Sequence, residues 1–155
     1  MRLIHLIAAL ALTLPSAAPA APVYVTRHMD RAPGEDPSLN DKGTARAQML
    51  AEVLHAANIK AIFATATKRA QETATPLATR LNLPITTYNP RDTDALAAAV
   101  KAAGGAVLIV GHSNTTASLV AKFGGTKPAE LGEGDYGTLF VVHDNSDQVN
   151  RIQLD

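Results

Sequence analysis

The chain has 155 residues, and its 14 basic side chains are balanced by 14 acidic ones. Bulk charge therefore gives no indication of a surface that binds nucleic acid or membranes, and we expect neither as a partner. The chain contains no cysteine, which excludes a disulfide framework and thiolate chemistry. Its hydrophobic fraction of 46% is ample for a domain that rests on its core alone.

The first 20 residues are typical of a secretory signal peptide. Arg2 precedes an apolar run from Leu3 to Leu14, and the small-residue site Ala18-Pro19-Ala20 follows. The run is shorter than the roughly 20 residues that span a bilayer. We therefore expect cleavage after Ala20 and no membrane association afterwards, with one domain at 21–155 in the periplasm or outside the cell. Cleavage would leave 13 basic side chains against 14 acidic ones.

The remaining chain alternates short apolar runs with stretches of helical periodicity. We predict strands at 23–25, 61–64, 85–88, 106–110, 138–143 and 149–154. Helices are predicted at about 41–57, 68–81 and 95–103, and a fourth runs from the Gly111–Thr116 segment to about 123. This alternation predicts a three-layer α/β/α sandwich with a mainly parallel sheet and an edge hairpin turning at 144–147. The polar loops at 29–40 and 127–137 are expected to shape the entrance to a site.

Three of the predicted strand ends carry matching chemistry. Arg27 and His28 follow the first strand, Arg69 lies in the first turn of the helix after the second, and His112 follows the fourth. In a right-handed wound sheet these positions converge on one edge. Two guanidiniums, two imidazoles and helix N-termini describe an oxyanion site, and phosphate is the expected occupant.

The same stretches resemble the histidine phosphatase superfamily, the phosphoglycerate mutase-like group. The likeness rests on Val23–His28, Thr65–Ala74 and Val107–Thr115, and their order and spacing fit over the whole mature chain. In size the chain is similar to the bacterial phosphohistidine phosphatases within that superfamily.

The resemblance implies that His28 is the nucleophile that accepts a phosphoryl group, while Arg27, Arg69 and His112 hold its oxygens. His28 must be neutral at the attacking nitrogen, so its other nitrogen should donate to an acceptor. His112 is best used protonated, as a donor to the phosphoryl group. Asn114 either caps the following helix or contacts the phosphate. No cofactor is expected, and no metal site, because the two histidines have no third ligand at suggestive spacing.

The proton donor for the leaving group stays open. Larger relatives supply it from a carboxylate after the third strand, a place that Asp92 occupies here, and Asp30 and Asp135 are rivals. Asp92 is equally explained as a helix cap, and Asp30 as a partner of Arg27 or Arg31. The small relatives that this chain resembles have no obvious acid, which would favour phosphoramidates, acyl phosphates or activated esters.

The sequence therefore predicts an exported phosphatase that acts on a small phosphorylated substrate through a phosphohistidine on His28. The alternative is a catalytically weak protein that binds phosphate esters in the same pocket. A mutase is poorly supported, since the mutases of this family carry longer insertions than this chain has room for. Neither the substrate nor the oligomeric state can be read from the sequence.

Overall fold

A computed structural model describes residues 21–143 and 148–155. The predicted signal peptide at 1–20 and the predicted turn at 144–147 lie outside these residues. The elements, in chain order, are β1 (Val23–Arg27), α1 (Asp41–Leu54), β2 (Ile59–Ala64), α2 (Lys68–Leu81), β3 (Ile85–Thr87), α3 (Thr93–Ala103), β4 (Ala106–Gly111), α4 (Ser113–Lys122), β5 (Thr138–Val142) and β6 (Val149–Gln153). Within the described ranges, no helix is long and apolar enough to cross a membrane.

Every predicted element is present, and several ends differ by two or three residues. Helix α1 ends at Leu54, and Asn58 then adopts a left-handed backbone (φ 54°) that turns the chain directly into β2. Strand β2 therefore starts at Ile59, two residues before its predicted start. Helix α3 also begins two residues early, because the Asp92 side chain accepts a hydrogen bond from the backbone N–H of Ala95.

The strand order in the sheet is β3-β2-β4-β1-β5-β6. The pairs β3–β2, β2–β4 and β4–β1 are parallel, whereas β5 runs antiparallel to β1 and β6 antiparallel to β5. Every residue of β4 is buried, as its unbroken apolar run predicted for a central strand. The mainly parallel sheet with an antiparallel edge hairpin is thereby confirmed.

Two apolar layers hold the helices against the sheet. Alternate residues of β4 point to opposite faces, so Leu108 and Val110 pack with α1 and α2, while Val107 and Ile109 pack with α3 and α4. The predicted three-layer α/β/α arrangement is correct. It leaves the edge at the carboxyl ends of β1, β2 and β4 open for a site.

The first turn of α1 lies against the backbone of Asp30. The Asp30 carbonyl accepts from Asn40 N–H at 3.0 Å, and the Asn40 side chain accepts from Gly43 N–H at 2.9 Å. A side-chain carbon at Gly43 would overlap the Asp30 carbonyl oxygen. Glycine at this position therefore permits the close approach that fixes the segment after His28.

We expect Gly43→Ala to destabilise the protein by about 2 kcal/mol, because the added methyl group overlaps backbone that cannot rotate away. Helix propensity alone predicts the opposite sign, a gain of about 1 kcal/mol. Urea unfolding of the purified variant measures the difference. Gly134→Ala is the control, since an added carbon there meets nothing within 4 Å. A Gly43→Ala protein as stable as the native chain would show that this contact is not tight.

Candidate active site

The register of β1 against β4 brings two histidines together. Arg27 pairs with Gly111, so His28 and His112 are the next residues on adjacent parallel strands. The backbone N–H of His28 donates to the Gly111 carbonyl at 2.9 Å, which extends the pairing by one residue. The two imidazole centroids lie 5.4 Å apart. The convergence expected from the strand ends is thus present in the structure.

His28 has its tautomer set by the backbone. Its Nδ1 lies 2.8 Å from the Met29 carbonyl oxygen, which can only accept, so Nδ1 carries the hydrogen. In the neutral ring Nε2 then holds the lone pair. Arg69 donates from its Nε to this Nε2 at 3.1 Å. The side chain is buried, and the nitrogen that carries the lone pair accepts this hydrogen bond from the second arginine.

Arg27 is shared between the loop before β5 and the site. Its NH1 group donates to the carbonyls of Gly132 at 2.8 Å and Asp135 at 3.0 Å, and its guanidinium carbon lies 4.0 Å from the centre of the Tyr136 ring. Its Nε is buried and has no hydrogen-bond partner in the described part of the chain. An anion beside Arg27 would meet a guanidinium that is already fixed in place.

His112 is held by a residue that the sequence analysis did not single out. Thr65 follows β2, the other neighbour of β4, and its Oγ1 lies 2.8 Å from His112 Nε2. The backbone N–H of His112 donates to the Thr115 hydroxyl at 2.9 Å at the start of α4. Thr65 is buried, and its hydrogen bond fixes the orientation of the His112 ring.

All four predicted phosphate-binding and nucleophilic side chains line one open cavity of about 340 Å³, together with Asn114. Arg69 also forms an ion pair with Asp36, with 3.3 Å between NH1 and Oδ1. In residues 21–143 and 148–155 no group of three or more histidine or acidic side chains could hold a metal ion. The nine lining residues are Arg27, His28, Arg31, Thr67, Arg69, His112, Ser113, Asn114 and Glu133.

Burial and neighbouring cations keep both imidazoles neutral. The pKa of His28 is lowered to about 4, chiefly by burial and then by the neighbouring Arg27, Arg69 and His112, against an opposing effect of the Met29 hydrogen bond. The pKa of His112 is lowered as well, first by burial and then by Arg69 and Arg27. In the free site the lowered pKa favours the neutral form of His112, whereas the expected protonated form concerns the complex with a phosphoryl group. A bound anion would favour its protonation.

The structure does not bring Asp30 or Asp92 to the cavity. Asp30 forms a buried ion pair with Arg46 at 2.8 Å, so the expectation that it pairs with Arg27 or Arg31 is wrong. The partner of Asp30 therefore comes from helix α1 and not from a residue close to Asp30 in sequence. Asp92 caps α3 and lines a separate cavity with Tyr88.

The late loop supplies a different carboxyl group. The Asp135 side chain accepts from Gly132 N–H at 2.7 Å and closes a turn, whereas Glu133 within that turn lines the cavity. Sequence reasoning expected this loop at the entrance but not Glu133. The antiparallel pairing of β5 could have indicated this position, because a strand antiparallel to β1 begins at the edge where β1 ends. The residues just before β5, which include Glu133, therefore lie at that edge.

Comparisons with known proteins agree with this geometry. The family model of the histidine phosphatase superfamily (branch 1) matches residues 25–90. This range includes Arg27, His28 and Arg69 but ends before His112. The resemblance to this superfamily is confirmed. No curated protein sequence matches the chain significantly.

Several solved structures share the fold. The protein histidine phosphatase SixA complexed with tungstate is 21% identical, with a TM-score of 0.65 over 84% of this chain and 94% of that one. YhfR of Bacillus stearothermophilus is 20% identical, with a TM-score of 0.66 over 86% and 96%. A mycobacterial glucosyl-3-phosphoglycerate phosphatase with inorganic phosphate is 18% identical, with a TM-score of 0.61 over 88% and 98%. At these identities the likeness shows a common fold.

We expect the His28 imidazole to titrate with a midpoint near pH 4, as measured by NMR of the ring protons. Because the pKa in the folded state lies below the unfolded value of about 6.5, the unfolded state binds more protons in between. Stability should therefore fall as the pH falls from about 6.5 towards 4. In His28→Gln, urea unfolding should show a smaller fall over this window. A His28 midpoint close to 6.5 would contradict the expectation.

Proposed function

We propose that the protein is an exported phosphatase that hydrolyses small phosphorylated substrates through a phosphohistidine intermediate on His28. One observation carries the proposal. The lone pair of His28 Nε2 faces a cavity lined by Arg27, Arg69 and His112, which are donors suited to a phosphoryl group. A neutral imidazole of low pKa remains nucleophilic throughout the neutral range.

Binding of a phosphoryl group would rearrange one hydrogen bond. In the free site Arg69 donates to His28 Nε2. A phosphoryl oxygen is an anionic and therefore stronger acceptor, so Arg69 would transfer its N–H to the substrate. This transfer frees the lone pair for in-line attack on phosphorus. Arg27 would contribute its unpartnered Nε and its second amino group.

The reaction would follow in two displacements. His28 Nε2 forms a bond to phosphorus as the ester oxygen leaves, while Nδ1 keeps its hydrogen on the Met29 carbonyl. Arg27, Arg69 and a protonated His112 stabilise the charge on the phosphoryl oxygens. Water then attacks phosphorus, the nitrogen–phosphorus bond breaks, and inorganic phosphate departs.

The ligands of two similar structures support an oxyanion site. SixA was solved with tungstate and the mycobacterial phosphatase with inorganic phosphate, both tetrahedral oxyanions. The open cavity of about 340 Å³ suits a small substrate or an exposed phosphoryl group on a larger one.

We expect His28→Ala to lower kcat/KM for 4-nitrophenyl phosphate by more than about 10³-fold, because the substitution removes the nucleophile. Release of nitrophenolate is followed by absorbance. His55→Ala is the matched control, since His55 is exposed at the end of α1 and distant in sequence from every cavity residue.

Equal turnover by the native protein and His28→Ala would remove His28 from the mechanism. Binding of inorganic phosphate to both, measured by calorimetry, would then favour the alternative of a phosphate-ester binding protein. Quenching the native enzyme with base during turnover should trap an acid-labile phosphohistidine that His28→Ala does not form.

Export belongs to the same proposal. Residues 1–20 carry the charged start, apolar middle and small-residue site of a cleaved signal. When the full chain is produced in a bacterial host, we expect the periplasmic protein to begin at Ala21, as read by amino-terminal sequencing. Recovery of a chain that begins at Met1 in the cytoplasm would contradict export.

A further inference from the structure

Three of the nearby carboxylates already have structural roles, and one has none. Asp30 pairs with Arg46, Asp36 accepts from Arg69 and from Lys68 N–H, and Asp135 accepts from Gly132 N–H. Glu133 is the only acidic side chain among the residues that line the cavity. No ion pair is formed by Glu133 with any described residue.

The turn that carries Glu133 is held by Arg27, one of the side chains proposed to bind the phosphoryl group. The turn is closed by the Asp135 N–H, which donates to the Gly132 carbonyl at 3.1 Å, and by the Asp135 carboxylate on Gly132 N–H. Arg27 donates to both carbonyls that flank the turn. A group on an exposed loop is thereby anchored to the end of β1, one residue from the nucleophile.

We propose that Glu133 is the proton donor to the leaving group, so that unactivated alkyl phosphates are within the substrate range. The proposal rests on the phosphatase function proposed above and deepens it. Glu133 is exposed and lines the same cavity as His28, Arg69 and His112. An exposed carboxyl group among the lining residues can exchange its proton with solvent and with a departing alcohol.

The proton balance of the two steps is complete. As Nε2 of His28 bonds to phosphorus, the phosphorus–oxygen bond breaks, and the carboxyl proton of Glu133 passes to the departing oxygen to give an alcohol. In the second step the Glu133 carboxylate takes a proton from the attacking water. The nitrogen–phosphorus bond breaks, and its electron pair returns to Nε2 of His28. The proton taken from water leaves Glu133 as the carboxylic acid with which the first step began. A phosphoryl dianion beside a carboxylate favours the protonated form that the first step needs.

The test compares leaving groups in Glu133→Gln and in the native enzyme. For glycerol phosphate, whose alkoxide leaves poorly, we expect kcat/KM to fall by about 10²-fold or more. For 4-nitrophenyl phosphate, whose phenolate needs little protonation, the fall should be at least tenfold smaller. The ratio kcat/KM reports the first displacement, so slow hydrolysis of the phosphohistidine does not obscure the comparison.

Glu130→Gln is the matched control, because Glu130 lies in the same loop, is exposed and pairs with Lys127 at 2.9 Å. It should leave both rates unchanged. Equal losses on the two substrates in Glu133→Gln would overturn the proposal, since an electrostatic or structural role does not depend on the leaving group. Unchanged rates, or a native enzyme that hydrolyses only 4-nitrophenyl phosphate, would overturn it as well. A native enzyme inactive on both esters would refute the proposed function itself.

Discussion

The parallel register between β1 and β4 is the constraint on which the site depends. Arg27 lies opposite Gly111, so the next residue on each strand is a histidine, and both leave the sheet at its carboxyl edge. Strand β2 pairs on the other side of β4 and places Thr65 against His112. A shift by one residue would turn each side chain to the opposite face of the sheet. The buried residues of β4, with helices on both faces, make such a shift costly.

Hydrogen bonds from the backbone determine which chemistry this arrangement supports. The Met29 carbonyl holds the hydrogen of His28 on Nδ1, and the pKa of the ring is lowered to about 4, chiefly by burial. Both effects leave Nε2 free of a proton and directed at the cavity. Arg27 and Arg69 contribute to this lowering, so the groups suited to bind a phosphoryl group also favour the neutral form of His28.

Some charged side chains close to the site form ion pairs that support its structure. The buried pair of Asp30 and Arg46 joins the segment after the nucleophile to α1, and Arg46 also reaches Asp155 at 3.1 Å. Gly43 allows α1 to approach that segment closely. These contacts hold the chain after His28 against α1, which is what the in-line attack proposed for His28 requires.

The sequence by itself determined the order of strands and helices, the central β4 and the four side chains Arg27, His28, Arg69 and His112. These follow from local patterns, because apolar periodicity reports burial and parallel strands end at a common edge. Only the tertiary structure decided the partner of Asp30, the support of His112 by Thr65 and the entry of Glu133 into the cavity. Each of these contacts joins residues from separate elements, and their distances depend on strand register and helix packing, which short-range patterns do not encode.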